Sequence, residues 1–258
     1  MSAQPLIAIT DADLGYGSTR VLGHVTLDVY RGDYLGIVGP NGAGKTTLLK
    51  CILGLIRPMA GSVQLSSPDH IIGYVPQRDT LDTIYPLTVL DIVLMGLFDR
   101  LSAFGRPTRK HILQAEAALN DAGIVHLRDR SFGSLSGGQK QRTIIARAMV
   151  AEPEVLLLDE PTNGMDLVGE AGILSLIDGM HQQRRLTVLL VSHLLNTVIN
   201  HSDRMAFVAD GHVETLNKAE LIGSGKLSSI YGLPVEVTML NGRYLVLPGA
   251  PDGEADRR

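Results

Sequence analysis

The chain has 258 residues, is 45% hydrophobic, and sets 23 Lys and Arg against 27 Asp and Glu for a formal net charge of −4. That length allows one large α/β domain, or one domain with a sizeable insertion, around a real core. The acidic balance, with no Lys/Arg run, argues against nucleic acid as the main partner, and the lone cysteine, Cys51, excludes a disulfide framework.

The opening MSAQPLIAIT lacks the charged start and apolar stretch of a secretory signal. No apolar run approaches the roughly eighteen residues that span a bilayer. The expectation is a soluble chain of a reducing cytoplasm, able to dock on a membrane protein. Residues 6–12 and 25–30 are rich in β-formers, with Arg31-Gly32-Asp33 as a turn. Residues 34–38 read as a buried strand, and 46–55 as a helix with Leu48, Leu49, Ile52 and Leu53 on its apolar face. Cys51 falls on that helix as a small buried residue.

Between this strand and helix stands Gly39-Pro40-Asn41-Gly42-Ala43-Gly44-Lys45-Thr46, followed by Thr47. It fits G-x-x-x-x-G-K-[ST]. Its glycines let successive backbone N–H groups converge on one anion at the positive end of a helix. Lys45 is the candidate for the β- and γ-phosphates, and the Thr46 hydroxyl for Mg²⁺. The pattern implies nucleoside triphosphate binding.

Arg57-Pro58 and Gly61 mark a return to strand, and 71–75 is a further strand. From about 88 to 151 the character is helical, with Val89, Ile92, Val93 and Gly96 on one face and an amphipathic stretch at 110–122. Short apolar runs at 155–158 and 187–191 flank a helix over about 167–183. Such runs suit parallel strands covered on both faces. The first ends in Asp159-Glu160, at the carboxyl end of a buried strand, where ligands sit in open parallel sheets. Asp159 fits a direct or indirect Mg²⁺ anchor, and Glu160 the base that orients an attacking water.

Leu135-Ser136-Gly137-Gly138-Gln139 opens an amphipathic stretch running to 151. Ser136, with the amides of Gly137 and Gly138, makes a second anion site at a helix N-terminus. Two phosphate-sized sites in one chain suggest a head-to-tail dimer. Nucleotide would lie between the cradle of one copy and the Ser-Gly-Gly of the other. At the far end, 235–240 and 243–247 flank Asn241-Gly242, a strong hairpin signal. The polar, Pro/Gly-rich PGAPDGEADRR after them is expected to be disordered.

The cradle, the LSGGQ pentapeptide and the Asp-Glu strand together resemble the ATP-binding subunits of ABC transporters, over about residues 6–221. Further residues match at the expected places. Tyr16 resembles the aromatic on which adenine stacks, and Gln77 the glutamine that touches Mg²⁺ and water. Asp166, in Pro161-Thr-Asn-Gly-Met-Asp, resembles the loop that crosses the dimer interface. His193 resembles the histidine at the γ-phosphate, a position that suits a donor to developing negative charge. Where the family usually has Asp or Glu after that histidine, this chain has Leu194, which implies an effect on local geometry at most.

The resemblance implies an α/β P-loop NTPase core, a RecA-like mixed sheet with an antiparallel β part and a helical insertion at about 88–151. It places the ATPase domain at 1–225 and a C-terminal hairpin and tail at 226–258. It implies ATP and Mg²⁺ as ligands, and hydrolysis by Glu160, His193 and Lys45. The implied partners are a second copy of the chain, integral membrane permease subunits and, indirectly, an extracytoplasmic substrate-binding protein. The implied location is the cytoplasmic face of the membrane, held there by the permease.

The segment YVPQRDTLDTIYPLTVLDIVLMGL looks like that of bacterial importers for zinc, manganese or chelated iron, with Pro86 to Gly96 matching almost residue for residue. Phe104-Gly-Arg-Pro-Thr108 resembles the same group. Zinc or manganese is favoured as cargo, with ferric siderophore or haem as the rival. The eight histidines are scattered, without metal-ligand clustering, so metal selection is expected in other subunits. DNA-repair and translation ABC ATPases fit poorly, since the former insert long coiled coils and the latter carry two ATPase halves. An inactive ATP-binding regulator is disfavoured because Lys45, Asp159, Glu160 and His193 are all present.

Overall fold

The computed structural model describes residues 4–67, 70–77, 86–100, 106–223 and 226–249. In chain order the regular elements begin with strands β1 (Ile7–Tyr16), β2 (Thr19–Val29) and β3 (Tyr34–Val38), then helix α1 (Lys45–Ile52). Strands β4 (Ala60–Leu65) and β5 (Ile72–Val75) precede helices α2 (Val89–Leu94), α3 (Arg109–Asp121) and α4 (Gly137–Met149). Then come β6 (Val155–Asp159), α5 (Leu167–Arg184), β7 (Thr187–Ser192), α6 (Leu195–His201), β8 (Arg204–Ala209) and β9 (His212–Asn217). Short helices α7 (Lys218–Gly223) and α8 (Lys226–Tyr231) lead to strands β10 (Val235–Leu240) and β11 (Arg243–Pro248). The chain divides into two compact units, one made of 1–67 with 189–258 and the other of 68–188.

The first unit contains two sheets that build its core. In one, β1 runs antiparallel to both β2 and β4, with Ile7 opposite Val29 and Leu65. In the other, β3 pairs in parallel with β8, and β8 turns back antiparallel into β9. All five residues of β3 are buried, the signature of a strand covered on both faces. The β8–β9 turn uses Asp210 and Gly211, both at positive φ (48° and 76°), as a two-residue hairpin loop requires. The C-terminal hairpin forms a separate two-stranded sheet. Asn241 and Gly242 have φ of 51° and 76°, the type I′ geometry expected from their sequence.

The second unit pairs β5 and β6 in parallel, Val75 opposite Leu158. The VLLL run of β6 is fully buried, and each buried Leu contributes roughly 1.5–3 kcal/mol. Helix α2 starts on a capping box, the Thr88 hydroxyl accepting from the Asp91 N–H and the Asp91 carboxylate accepting from the Thr88 N–H.

The expected elements differ from those observed mainly at their ends. Helix α1 stops at Ile52, three residues early, because Gly54 at φ 69° closes it. Helix α4 starts at Gly137, two residues before its apolar stretch, because Ser136 caps it. Elements α6 and β9 are not apparent from hydrophobic pattern, whereas β8 has the apolar run 205–209 and Asp210-Gly211 is a hairpin signal of the same kind as Asn241-Gly242. Residues 78–85, Phe104 and Gly105 of the cargo-related segments lie outside the described residues, as do 250–258 of the tail. Among the described residues no helix is long and apolar enough to cross a membrane.

Candidate active site

In the first unit the loop from Gly39 to Gly44 joins the end of β3 to the start of α1. Two close approaches explain its shape. A Cβ on Gly39 would stand 2.1 Å from the Val208 carbonyl oxygen of β8. Gly44 takes φ 108° as the N-cap of α1, with Leu22 Cδ2 only 2.8 Å from where a Cβ would be. Pro40, Asn41 and Gly42 are exposed, Ala43 and Gly44 half-buried. Lys45 is buried, and its ammonium donates to the carbonyls of Gly39 (2.7 Å) and Pro40 (3.0 Å). The lysine thus spans its own loop and braces it from within. Thr46 is exposed, Thr47 buried.

Tyr16 ends β1 and is 44% exposed, with the Lys50 ammonium 5.3 Å from its ring centroid. The ring therefore stands accessible beside a cation of α1. His193 follows β7, exposed, just ahead of α6. Leu194 holds the N-cap position of α6 without a side-chain cap, and its N–H donates to Ser192 Oγ at 3.0 Å.

In the second unit Asp159 and Glu160 both lie buried at the end of β6. Glu160 has φ 48°, a conformation a non-glycine residue rarely adopts, and it turns the chain sharply after the strand. Gln77 Nε2 donates to Glu160 Oε2 at 2.6 Å, and Asn163 Nδ2 donates to the same oxygen at 3.2 Å. Two amides thus orient one carboxylate. Asn163 was not a sequence candidate, since an asparagine three residues past an acid carries no signal of its own. Burial, with the negative charge of Asp159, raises the Tyr74 hydroxyl above the ordinary tyrosine range.

Ser136 caps α4 reciprocally. Its Oγ accepts from the Gln139 N–H at 3.4 Å, and Gln139 Oε1 accepts from the Ser136 N–H at 3.1 Å. Nothing lies within 4 Å of a Cβ built on Gly137 or Gly138, so the start of α4 has open space beside both glycines. Arg142 donates to the carbonyls of Ala122 (2.8 Å) and Gly172 (3.1 Å), which fixes α4 against its neighbours. Asp166 caps α5, its Oδ1 accepting from the Gly169 N–H at 2.7 Å.

The structure therefore groups the sequence candidates by unit. Tyr16, the loop 39–47 and His193 lie in the first, and Gln77, the Ser136 cap, Asp159, Glu160 and Asp166 in the second.

The sequence profile of the ABC transporter family matches residues 22–163. A relative from Jannaschia sp., the zinc import ATP-binding protein ZnuC, is 43% identical over 208 residues, 81% of this chain and 80% of that protein. The manganese transport system ATP-binding protein MntB of Bacillus subtilis is 34% identical over 235 residues, 86% of this chain and 94% of its own. Among solved structures, an inward-facing one described as a metal-chelate type ABC transporter matches at 30% identity and a TM-score of 0.85, covering 95% of this chain and 98% of that one. A phosphate loop closed by its own lysine, an acid pair ending a buried strand and an open Ser-Gly-Gly helix start accompany these matches, and the chain belongs to the ABC transporter family as an ATP-binding subunit that hydrolyses ATP.

Proposed function

We propose that this chain powers an importer that carries a metal ion, zinc or manganese, through a separate membrane permease. The observation that carries this reading is the 43% identity to a zinc import ATP-binding protein, supported by the manganese relative. A siderophore or haem importer is the second reading, favoured by the likeness to a metal-chelate type transporter.

The reading of a permease contact draws support from the second unit. A groove of about 420 Å³ is lined by Ile72, Tyr74, Met95, Gly96, Arg100 and Ala148. Met95 is 38% exposed and the neighbouring Phe98 75%. Arg147 lines the groove too, and a groove of mixed apolar and basic lining suits a short amphipathic helix from a membrane subunit. The chain would sit on the cytoplasmic face of the membrane through that contact, and a substrate-binding protein would act on the far side.

The proposed chemistry follows from the residues. Tyr16 stacks on adenine. The loop amides of residues 39–47 and the Lys45 ammonium bind the β- and γ-phosphates. Thr46, Asp159 and Gln77 would hold Mg²⁺. The Gln77 nitrogen is committed to Glu160, so it offers its amide oxygen, and all three are then the oxygen donors that a small hard cation takes. Mg²⁺ held there would supply positive charge to offset that of the phosphate oxygens. Glu160, aimed by Gln77 and Asn163, aligns water for in-line attack on the γ-phosphate. His193 donates a hydrogen bond to the charge that develops there. Ser136, Gly137, Gly138 and Gln139 of a second copy would complete the site, and Asp166 would lie at that interface. Closure of two copies on two ATP would move the docked permease, and hydrolysis would reopen them.

Cellular zinc, manganese and iron, measured by elemental analysis under scarcity, test the cargo in cells carrying this chain or its Lys45→Ala form. Selective loss of zinc or manganese in the variant is expected. Loss of iron alone, seen only with chelated supply, would replace this reading by the second.

A further inference from the structure

The C-terminal hairpin lies beyond the residues that the family profile matches, and the proposed chemistry makes no use of it. As a two-stranded sheet it leaves each strand with an outer edge whose N–H and C=O groups need partners. On β11 that edge presents Tyr244 and Val246, and α6 answers both. Asn200 Oδ1 accepts the Tyr244 N–H at 2.9 Å, while its Nδ2 donates to the Tyr244 carbonyl at 2.8 Å. Asn196 does the same for Val246, at 2.7 Å and 3.3 Å. Four residues along a helix advance about 6 Å and two along a strand about 6.8 Å, so the two rows run in register. Each site needs one donor and one acceptor from a short neutral side chain, which is what asparagine has. Two contacts fasten the hairpin elsewhere. The Lys218 ammonium lies 5.1 Å from the Tyr244 ring, and Ser228 Oγ accepts the Val235 N–H at 2.9 Å.

The helix so gripped is the one that carries the loop of His193. It has seven residues and no side-chain N-cap, and a helix that short is not stable by itself. Its C-terminal half is set on β3, since Val198 Cγ1 and Ser202 Oγ crowd the space above Gly36. Asn196 belongs to the first turn, three positions from His193.

We propose that the hairpin is a positioning element for catalysis, in which Asn196 on the first turn of α6 and Asn200 one turn further on hold the helix against β11 and thereby fix His193. The two asparagines act through His193, so the inference rests on the reading of His193 as the γ-phosphate contact. The test uses the full chain and a double-mutant cycle in ATPase turnover. Asn196→Ala with Asn200→Ala is expected to lower kcat about ten-fold with KM within two-fold, and to lower it no further in a His193→Ala background. An equal loss in both backgrounds, or no loss in either, would overturn the proposal. Full turnover by His193→Ala alone would instead remove the reading of His193 on which it stands. Should the double variant not fold, Asn196→Asp serves. It keeps the acceptor for the Val246 N–H but sets a carboxylate against the Val246 carbonyl, and the same loss of kcat, absent without His193, is expected.

Discussion

Gln77 Nε2 donates to Glu160 Oε2 at 2.6 Å across 83 residues of sequence. Asn163 Nδ2 donates to the same oxygen at 3.2 Å and shares the work of fixing the carboxylate. Glu160→Gln keeps the shape and removes the basicity. Its kcat is expected to fall by more than about a hundred-fold, with ATP affinity within a few-fold of the parent. Gel filtration with ATP should then show a trapped dimer, and a monomer under those conditions would count against the shared-interface arrangement.

The Lys45 ammonium is anchored by two carbonyls of its own loop, at 2.7 Å and 3.0 Å. Lys45→Ala removes both the loop's internal brace and the charge proposed to face the phosphates. Binding of a fluorescent ATP analogue is expected to drop below detection at concentrations that saturate the parent, while the melting temperature stays within a few degrees. Unchanged analogue binding would refute the role of this loop.

Gly39 tells a different story, because the atom it would meet is backbone. A Cβ there stands 2.1 Å from the Val208 carbonyl oxygen, which cannot swing aside as a side chain would. Gly39→Ala is expected to cost about 1–3 kcal/mol of stability in denaturant unfolding, apart from any loss of nucleotide binding. A neutral result would mean that β3 and β8 separate more easily than their pairing suggests.

Tyr74 gives a pH dependence whose sign can be worked out. Burial, then the Asp159 charge, raises its folded pKa above that of the unfolded chain, about 10. Below pH 10 the hydroxyl is protonated in both states and the stabilising difference is fully present. As pH rises from 10 through the folded value, the unfolded chain ionises first and stability is lost. Urea unfolding between pH 9 and 11 should show this loss, and Tyr74→Phe should reduce it.

Cys51 is 3% exposed on α1, and burial raises its thiol pKa. Both effects suppress the thiolate. A disulfide reagent at pH 8 is expected to leave the native chain unlabelled and to react with one thiol once the chain is unfolded. Rapid labelling of the folded chain would contradict the packing of α1.

The phosphate loop, the buried strands β3 and β6, the Ser136 cap and the Asn241-Gly242 hairpin are all legible from the amino-acid sequence. Each depends on neighbours a few residues away: glycines where the backbone must turn, apolar runs, a serine three residues before a glutamine. Element ends were less legible, because a cap such as Ser136 or a stop such as Gly54 outranks the apolar period. Elements α6 and β9 escaped because the helix is short and β9 faces solvent along much of its length, which leaves little pattern to read.

What the tertiary structure alone decided are pairings between distant residues. Gln77 and Asn163 on one oxygen of Glu160 could not be foreseen, since neither residue type signals its partner. Asn196 and Asn200 look like ordinary exposed helix residues until β11 arrives 50 and 44 residues later to meet them. A hydrogen bond between side chain and remote backbone depends on where packing brings the two elements. Local sequence specifies the donor and the acceptor, and only the folded chain sets the distance between them.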